Sequence, residues 1–236
     1  MLPLILCIVF MGLGAVSVTL FLIEKIRQYS VKATILKTIT SLLFIATCAV
    51  GLYVHERHPL SLFVMLGLLL GLLGDIWLDL KYVFKEKDVS FTYAGFAAFG
   101  FGHILYMCGM ISEYYQGENP LYIIIPILAG VLVGALTILL EKPMKLHYGK
   151  MKWIAFVYAI LLFSMFAMAL SLTILTKFES TTLIMLTSGG VLFAVSDLIL
   201  SGTYFGKGKE RPVDIISNTV TYYAAQFVIA FSMFFI

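Results

Sequence analysis

The chain has 236 residues, of which 61% are hydrophobic and 12% charged, with a formal net charge of +3. A soluble domain carries about 25% charged residues, so composition excludes one and describes an integral membrane protein. No polar stretch is long enough to form a separate soluble domain, so residues 1–236 read as one membrane domain with no nucleic-acid partner.

Eight apolar segments approach the ~20 residues that a spanning helix needs. They are roughly 2–23, 33–54, 60–80, 90–112, 121–140, 153–175, 180–204 and 214–236. The fold class predicted is all-α, a polytopic membrane protein of eight transmembrane helices. The first segment has no basic residue before it, whereas a signal peptide carries a positive leading region; it reads as a retained first helix. The second carries Lys37 near its start, and the third ends in Gly74-Asp75-Ile76-Trp77-Leu78-Asp79. The fourth holds His103, and the seventh holds Ser196-Asp197-Leu198-Ile199-Leu200. The eighth opens at Asp214 and repeats polar residues at i, i+4: Asp214, Asn218, Tyr222 and Gln226, one helix face. Gly67–Gly71 and Gly130–Gly134 have the spacing used where membrane helices approach closely. Pro59, Pro120, Pro143 and Pro212 fall between segments, where proline disrupts least. Cys7, Cys48 and Cys108 lie in apolar runs without metal-ligand or disulfide spacing, which points to packing.

The connections set the orientation. In order they carry three basic residues (Lys25, Arg27, Lys32), one (Arg57), three (Lys81, Lys85, Lys87), none, four (Lys142, Lys145, Lys150, Lys152), one (Lys177) and three (Lys207, Lys209, Arg211). Thirteen fall in odd connections and two in even ones. The positive-inside rule makes the odd connections cytoplasmic, so both termini are expected on the non-cytoplasmic side. A shift of 122 positions aligns Asp75, Leu78, Tyr82, Lys85 and Lys87 with Asp197, Leu200, Tyr204, Lys207 and Lys209, a weak sign of a four-plus-four duplication.

A charged group at the bilayer centre costs at least ~2.5 kcal/mol, so intramembrane acids are functional candidates. At 1.5 Å per residue, Asp75 lies roughly 7 Å, Asp197 roughly 10 Å and Lys37 roughly 6 Å from the cytoplasmic ends of their segments. His103 is deeper, near the midplane. A shared polar cavity opening toward the cytoplasmic leaflet would satisfy these groups together. Asp75 and Asp79 lie one turn apart, and two carboxylates that close resist double ionisation, which makes a general acid beside a carboxylate. Simpler readings stand beside these. Asp79 pairs with Lys81 or Lys85 at the interface; Lys37 snorkels to headgroups or forms a buried ion pair; His103 is a neutral residue bonded to a neighbouring helix; Tyr222 and Tyr223 pack. Asp75 and Asp197 resist such readings best, because short acids cannot snorkel far. His55, His58 and His147 lie in connections and read as solvated, with little metal signal. The sequence has no P-loop, dinucleotide fingerprint or nucleophile elbow, and Phe205-Gly206-Lys207-Gly208-Lys209 is too short to cradle a phosphate alone.

At these residues the chain resembles the YhhN family of lysoplasmalogenase-like membrane proteins. The resemblance rests on Gly74, Asp75 and Leu78; on Phe99, Gly102, His103 and Tyr106; on Phe193, Ser196 and Asp197; and on Tyr222, Tyr223 and Gln226. Asp79 falls outside that pattern. The resemblance implies hydrolysis of the vinyl ether bond of lysoplasmalogen to a fatty aldehyde and glycerophosphocholine or glycerophosphoethanolamine, without a cofactor or metal. It implies Asp75, Asp197 and His103 as catalytic candidates. Tyr222, Tyr223, Gln226, Asn218, Lys37 and Asp79 are candidates for positioning substrate or water. Lys37, Lys81, Lys207 and Arg211 are candidates for the lipid phosphate. The expected partner is a lysophospholipid in the bilayer, either the cell membrane of a bacterium or the endoplasmic reticulum of a eukaryote. Two other classes stay open: a proton- or cation-coupled transporter, and a metal-dependent lipid hydrolase using Asp75, His103 and Asp197.

Overall fold

A computed structural model describes residues 1–27, 30–56, 58–206 and 211–236. It is all-helical. Eight long α-helices follow one another: α1 (Leu2–Arg27), α2 (Val31–Val54), α3 (Pro59–Val83), α4 (Asp88–Tyr114), α5 (Leu121–Leu139), α6 (Lys152–Leu175), α7 (Thr181–Phe205) and α8 (Pro212–Ser232). Among the described residues no strand occurs, only one isolated antiparallel bridge between Leu146 and Gly206. Backbone groups in hydrocarbon must be satisfied within the segment, which the α-helix does completely. Pro59 and Pro212 take the first helical position, where no N–H is required. Ser30 and Ser180 cap α2 and α7 by accepting from Ala33 and Leu183 N–H.

Seven helices are long and apolar enough to cross a membrane; α8 is the one outside that set. Its polar stripe lowers its hydropathy, and the same stripe faces the interior. The apolar runs understate several helices. α1 continues to Arg27 and α3 to Val83, because helical hydrogen bonding persists past the apolar residues into charged turns. In contrast, α8 stops at Ser232 instead of reaching residue 236.

Neighbouring helices pack as antiparallel hairpins, α1 with α2, α3 with α4, α5 with α6 and α7 with α8. Gly130 brings α5 onto α6: a Cβ there would lie 2.6 Å from the Ile160 carbonyl oxygen. Buried hydroxyls tie helices together, as in Thr40 Oγ1 to Ser17 Oγ (2.8 Å, α2–α1) and Thr173 Oγ1 with Thr187 Oγ1 (2.9 Å, α6–α7). The surface is apolar, with Ile8, Ile35, Leu66, Leu132 and Leu198 exposed, while Asp75, Asp79, His103 and Gln226 are buried.

The connections sort onto two ends. At one, Tyr93 OH donates to Lys150 O (2.5 Å) and His147 N–H to Phe205 O (2.8 Å), which gathers the α3–α4, α5–α6 and α7–α8 connections. At the other, His58 faces Glu113 (3.4 Å) and His55 contacts Phe234 O (3.0 Å). His55 and His58 are therefore engaged by protein groups, not merely solvated. Arg57, Lys207 and Lys209 lie outside the described residues.

Candidate active site

Asp75 and Asp197 each stand eight residues before the last residue of their helix, Val83 and Phe205. At 1.5 Å per residue both lie about 12 Å from that helix end. Both line one cavity walled by α1, α2, α3, α4, α6, α7 and α8. A smaller pocket lined by Lys25, Tyr82, Tyr204 and Asn218 adjoins it, and Lys25, Leu200, Tyr204 and Asn218 line both. Positions aligned by the 122-residue shift meet here: Leu78 and Leu200 wall the cavity, and Tyr82 and Tyr204 line the adjoining pocket.

Asp75 is 2% exposed and surrounded by donors. Lys37 Nζ on α2 stands 3.3 Å from its Oδ1. Ser41 Oγ, one turn along α2, donates to Oδ2 at 2.6 Å, and Tyr222 OH on α8 donates to the same oxygen at 2.8 Å. Gln226, one turn further along α8, donates from Nε2 to Tyr222 OH at 2.9 Å. Tyr223 OH donates to the Lys37 carbonyl at 3.2 Å. Two hydroxyl donors and a cation converge on one carboxyl, an arrangement that favours the carboxylate form.

Asp197 is placed differently. It is only partly buried, and among the described residues only Tyr158 of α6 hydrogen-bonds it, by donating to Oδ2. No cation pairs with it among the described residues. Behind Tyr158 sits His103, 1% exposed, with Nε2 3.5 Å from the Tyr158 oxygen. Beside Asp197, Asn218 Nδ2 donates to Ser196 O and Oγ, both at 2.9 Å, which fixes α8 against α7.

The motif residues from four helices form an aromatic floor. Phe99, Phe193 and Tyr222 meet edge to face, with ring centroids 6.0 Å (Phe99–Phe193) and 5.5 Å (Phe193–Tyr222) apart, and His103 packs 4.9 Å from Phe193. Gly74 makes room for Phe99, since a Cβ at Gly74 would sit 2.6 Å from that ring.

Several sequence expectations change. Asp79 does not pair with Lys81 or Lys85; it binds Lys37 at 3.1 Å. Lys37 does not snorkel: it is 8% exposed, held between two acids. Burial inside the bundle makes that pairing obligatory, because an unpaired charge there is costly. Asp75 and Asp79 therefore share a cation instead of forming a bare acid pair. Lys81 lies over the Tyr204 ring, 3.2 Å from its centroid, and Arg211 forms a two-point pair with Asp214 (2.8 and 3.0 Å). Lys207 lies outside the described residues. His103 does not line the cavity and reaches Asp197 only through Tyr158. Among the described residues, no three of His, Cys, Asp and Glu group to hold a metal ion.

Sequence reasoning passed over Ser41, Tyr158, Phe21 and Lys25. Ser41 stands one turn from Lys37 and was recoverable by that spacing. Tyr158 has only apolar residues three and four positions away, so no local pattern marks it.

The sequence profile of the YhhN family matches residues 32–233, nearly the whole chain. Neither the curated proteins nor the solved structures offer a match.

Proposed function

The chain belongs to the YhhN family, and from that premise we propose that it is a membrane-embedded hydrolase that cleaves the vinyl ether bond of lysoplasmalogen. The products are a fatty aldehyde and glycerophosphocholine or glycerophosphoethanolamine. The observation that carries the reading is the unequal pair of carboxyls in one cavity: Asp75 beside Lys37, Ser41 and Tyr222, and Asp197 beside Tyr158 alone.

A vinyl ether hydrolyses by protonation on carbon. The alkene carbon remote from oxygen takes the proton, the adjacent carbon becomes an oxocarbenium ion, water adds to it, and the resulting hemiacetal collapses to aldehyde and alcohol. The reaction needs a proton donor and an anion, as glycosidases need two carboxyls. Asp197 is the acid, because among the described residues nothing engages its Oδ1 and no cation pairs with it. Asp75 is the anion, because Lys37 pairs with it and Ser41 and Tyr222 donate to it. It faces the developing positive charge and accepts a proton from the attacking water. Tyr222 and Gln226 orient Asp75, and Tyr158 orients Asp197, with His103 behind it.

In this reading the chain forms eight membrane spans with both termini outside the cytoplasm. The adjoining pocket serves as the mouth of the cavity and opens among basic connections. Lys25 at that mouth and Lys81 over the Tyr204 ring face the phosphate of a lysolipid from the cytoplasmic leaflet, the role expected from sequence for Lys37, Lys81, Lys207 and Arg211.

The test is aldehyde release by purified protein. Asp75→Asn and Asp197→Asn should each lower the rate by about 10²-fold or more. Rates equal to wild type in well-folded variants sink the mechanism. A saturated alkyl ether of the same headgroup should not be cleaved. Flux of an intact substrate across liposomes, without bond cleavage, would instead point to a transporter.

A further inference from the structure

A second cavity adjoins the first. It lies between α4, α5, α6 and α7. Phe96, Tyr158, Asp197, Leu200 and Tyr204 wall both cavities, so the Asp197 carboxyl and Tyr158 hydroxyl stand on the partition between them. The two sides differ in chemistry. The first cavity holds Lys25, Lys37, Asp75 and Asn218. The second is lined on α6 by Ala155, Ala159, Leu162 and Phe163, one face of the helix, and on α7 by Leu198. The two alanines leave open the space that larger side chains would occupy. Leu198 is 60% exposed, which opens the rim of the slot on the apolar outer surface.

We propose that this slot is the hydrocarbon-chain subsite of the enzyme, which takes the single chain of a lysolipid with its headgroup in the first cavity and its first chain carbons at Asp197. The assignment rests on the hydrolase reading above. It follows from continuity: an amphiphile whose scissile bond separates a charged head from an apolar chain matches a charged cavity and an apolar slot that meet at a carboxyl group. The chain enters sideways past Leu198, without leaving an apolar environment. A larger groove at the far end of α5 and α6, walled by Tyr122, Pro126, Ala167 and Ser171, shares no residue with either cavity and serves as the control.

The probe is a saturated alkyl ether lysophospholipid with a 16-carbon chain and a terminal diazirine, which binds without turnover. It is photolysed with the full chain in lipid nanodiscs, and the labelled peptides are found by mass spectrometry. Label concentrated on 155–163 and 198–205 supports the slot. Label on 122–129 and 167–174, or spread evenly over outward-facing residues, overturns it. The second arm is kinetic. Ala159→Phe should lower the ratio of 16-carbon to 8-carbon vinyl ether hydrolysis at least tenfold, and Ala167→Phe should leave that ratio unchanged. Equal loss at both chain lengths for Ala159→Phe overturns the slot. The two readings fail separately. Label in the slot without aldehyde from any vinyl ether removes the hydrolase reading and keeps a single-chain lipid site; aldehyde with label elsewhere removes the slot alone.

Discussion

Lys37 is the common counter-ion of two acids on one face of α3, with its Nζ 3.3 Å from Asp75 Oδ1 and 3.1 Å from Asp79 Oδ1. The trio explains why two carboxylates can stand one turn apart inside a bundle. It also separates their duties. Asp75 lines the cavity and receives Ser41 and Tyr222, whereas Asp79 does not line it and holds Lys37 from behind.

Lys37→Met leaves two buried anions without their cation. Breaking a buried pair by removing one partner costs about 3–5 kcal/mol, so this variant should unfold at a much lower temperature. Asp75→Asn and Asp79→Asn each leave Lys37 one carboxylate and should stay folded. Of these two, Asp75→Asn should abolish aldehyde release and Asp79→Asn only reduce it. Thermal unfolding in detergent, alongside activity, decides this. A Lys37→Met protein as stable as wild type removes the counter-ion role.

Tyr158 is the hinge of the acid side, because it donates to Asp197 and stands between that group and His103. As Asp197 gives up its proton it becomes a carboxylate, and hydrogen bonds to charged groups contribute about 1.5–3 kcal/mol, so Tyr158→Phe should lower the turnover rate roughly ten- to a hundredfold. The effect of His103→Phe should be smaller, and negligible when Tyr158 is already Phe, because the histidine acts through the tyrosine. Additive losses in the double variant would give His103 an independent part.

These residues also mark what local pattern can and cannot carry. The helices were legible because apolar runs and basic connections are local properties. Asp75 and Asp197 stood out because an acid in an apolar run is conspicuous wherever it packs. The stripe on α8 was legible too, and the structure turns Asn218 and Tyr222 of that stripe to the cavity. Tyr158 was not, since its significance is a contact 39 positions away with Asp197. Lys37 stayed open between snorkelling and a buried ion pair for the same reason. Whether a lysine snorkels or turns inward depends on which acids the neighbouring helix presents, and that is a tertiary fact.

The connection between α5 and α6 is held by Glu141. Its side chain binds Lys152 Nζ at 2.8 Å and accepts the Tyr148 backbone N–H at 3.1 Å, and these bonds, the lysine first, hold its carboxyl below the usual range. A depressed carboxyl contributes fully above its unfolded value of about 4.3 and loses that contribution as pH falls through the lower folded value. Amide protection in 141–152 should therefore drop on acidification below about pH 4. In Glu141→Gln the same segment should be equally unprotected at neutral and acid pH. Unchanged protection in the variant at neutral pH would remove the latch.

Close packing of α5 on α6 makes the sharpest stability contrast. A Cβ at Gly130 would lie 2.0 Å from Ser164 Oγ and 2.6 Å from the Ile160 carbonyl, whereas a Cβ at Gly12 meets nothing within 4 Å. The hydroxyl can turn away, but the carbonyl belongs to the α6 backbone, so α5 must shift outward. Overpacking of this kind costs about 1–3 kcal/mol. Alanine at Gly12 instead gains helix propensity, up to about 1 kcal/mol in water. Gly130→Ala should lower the unfolding temperature and Gly12→Ala should hold or raise it. If the two variants unfold together, the α5–α6 seam has slack that the glycine contacts do not show. Because α6 carries Tyr158, a displaced seam should also blunt aldehyde release in Gly130→Ala, and Gly12→Ala, which sits on the outer face of α1, should keep the wild-type rate.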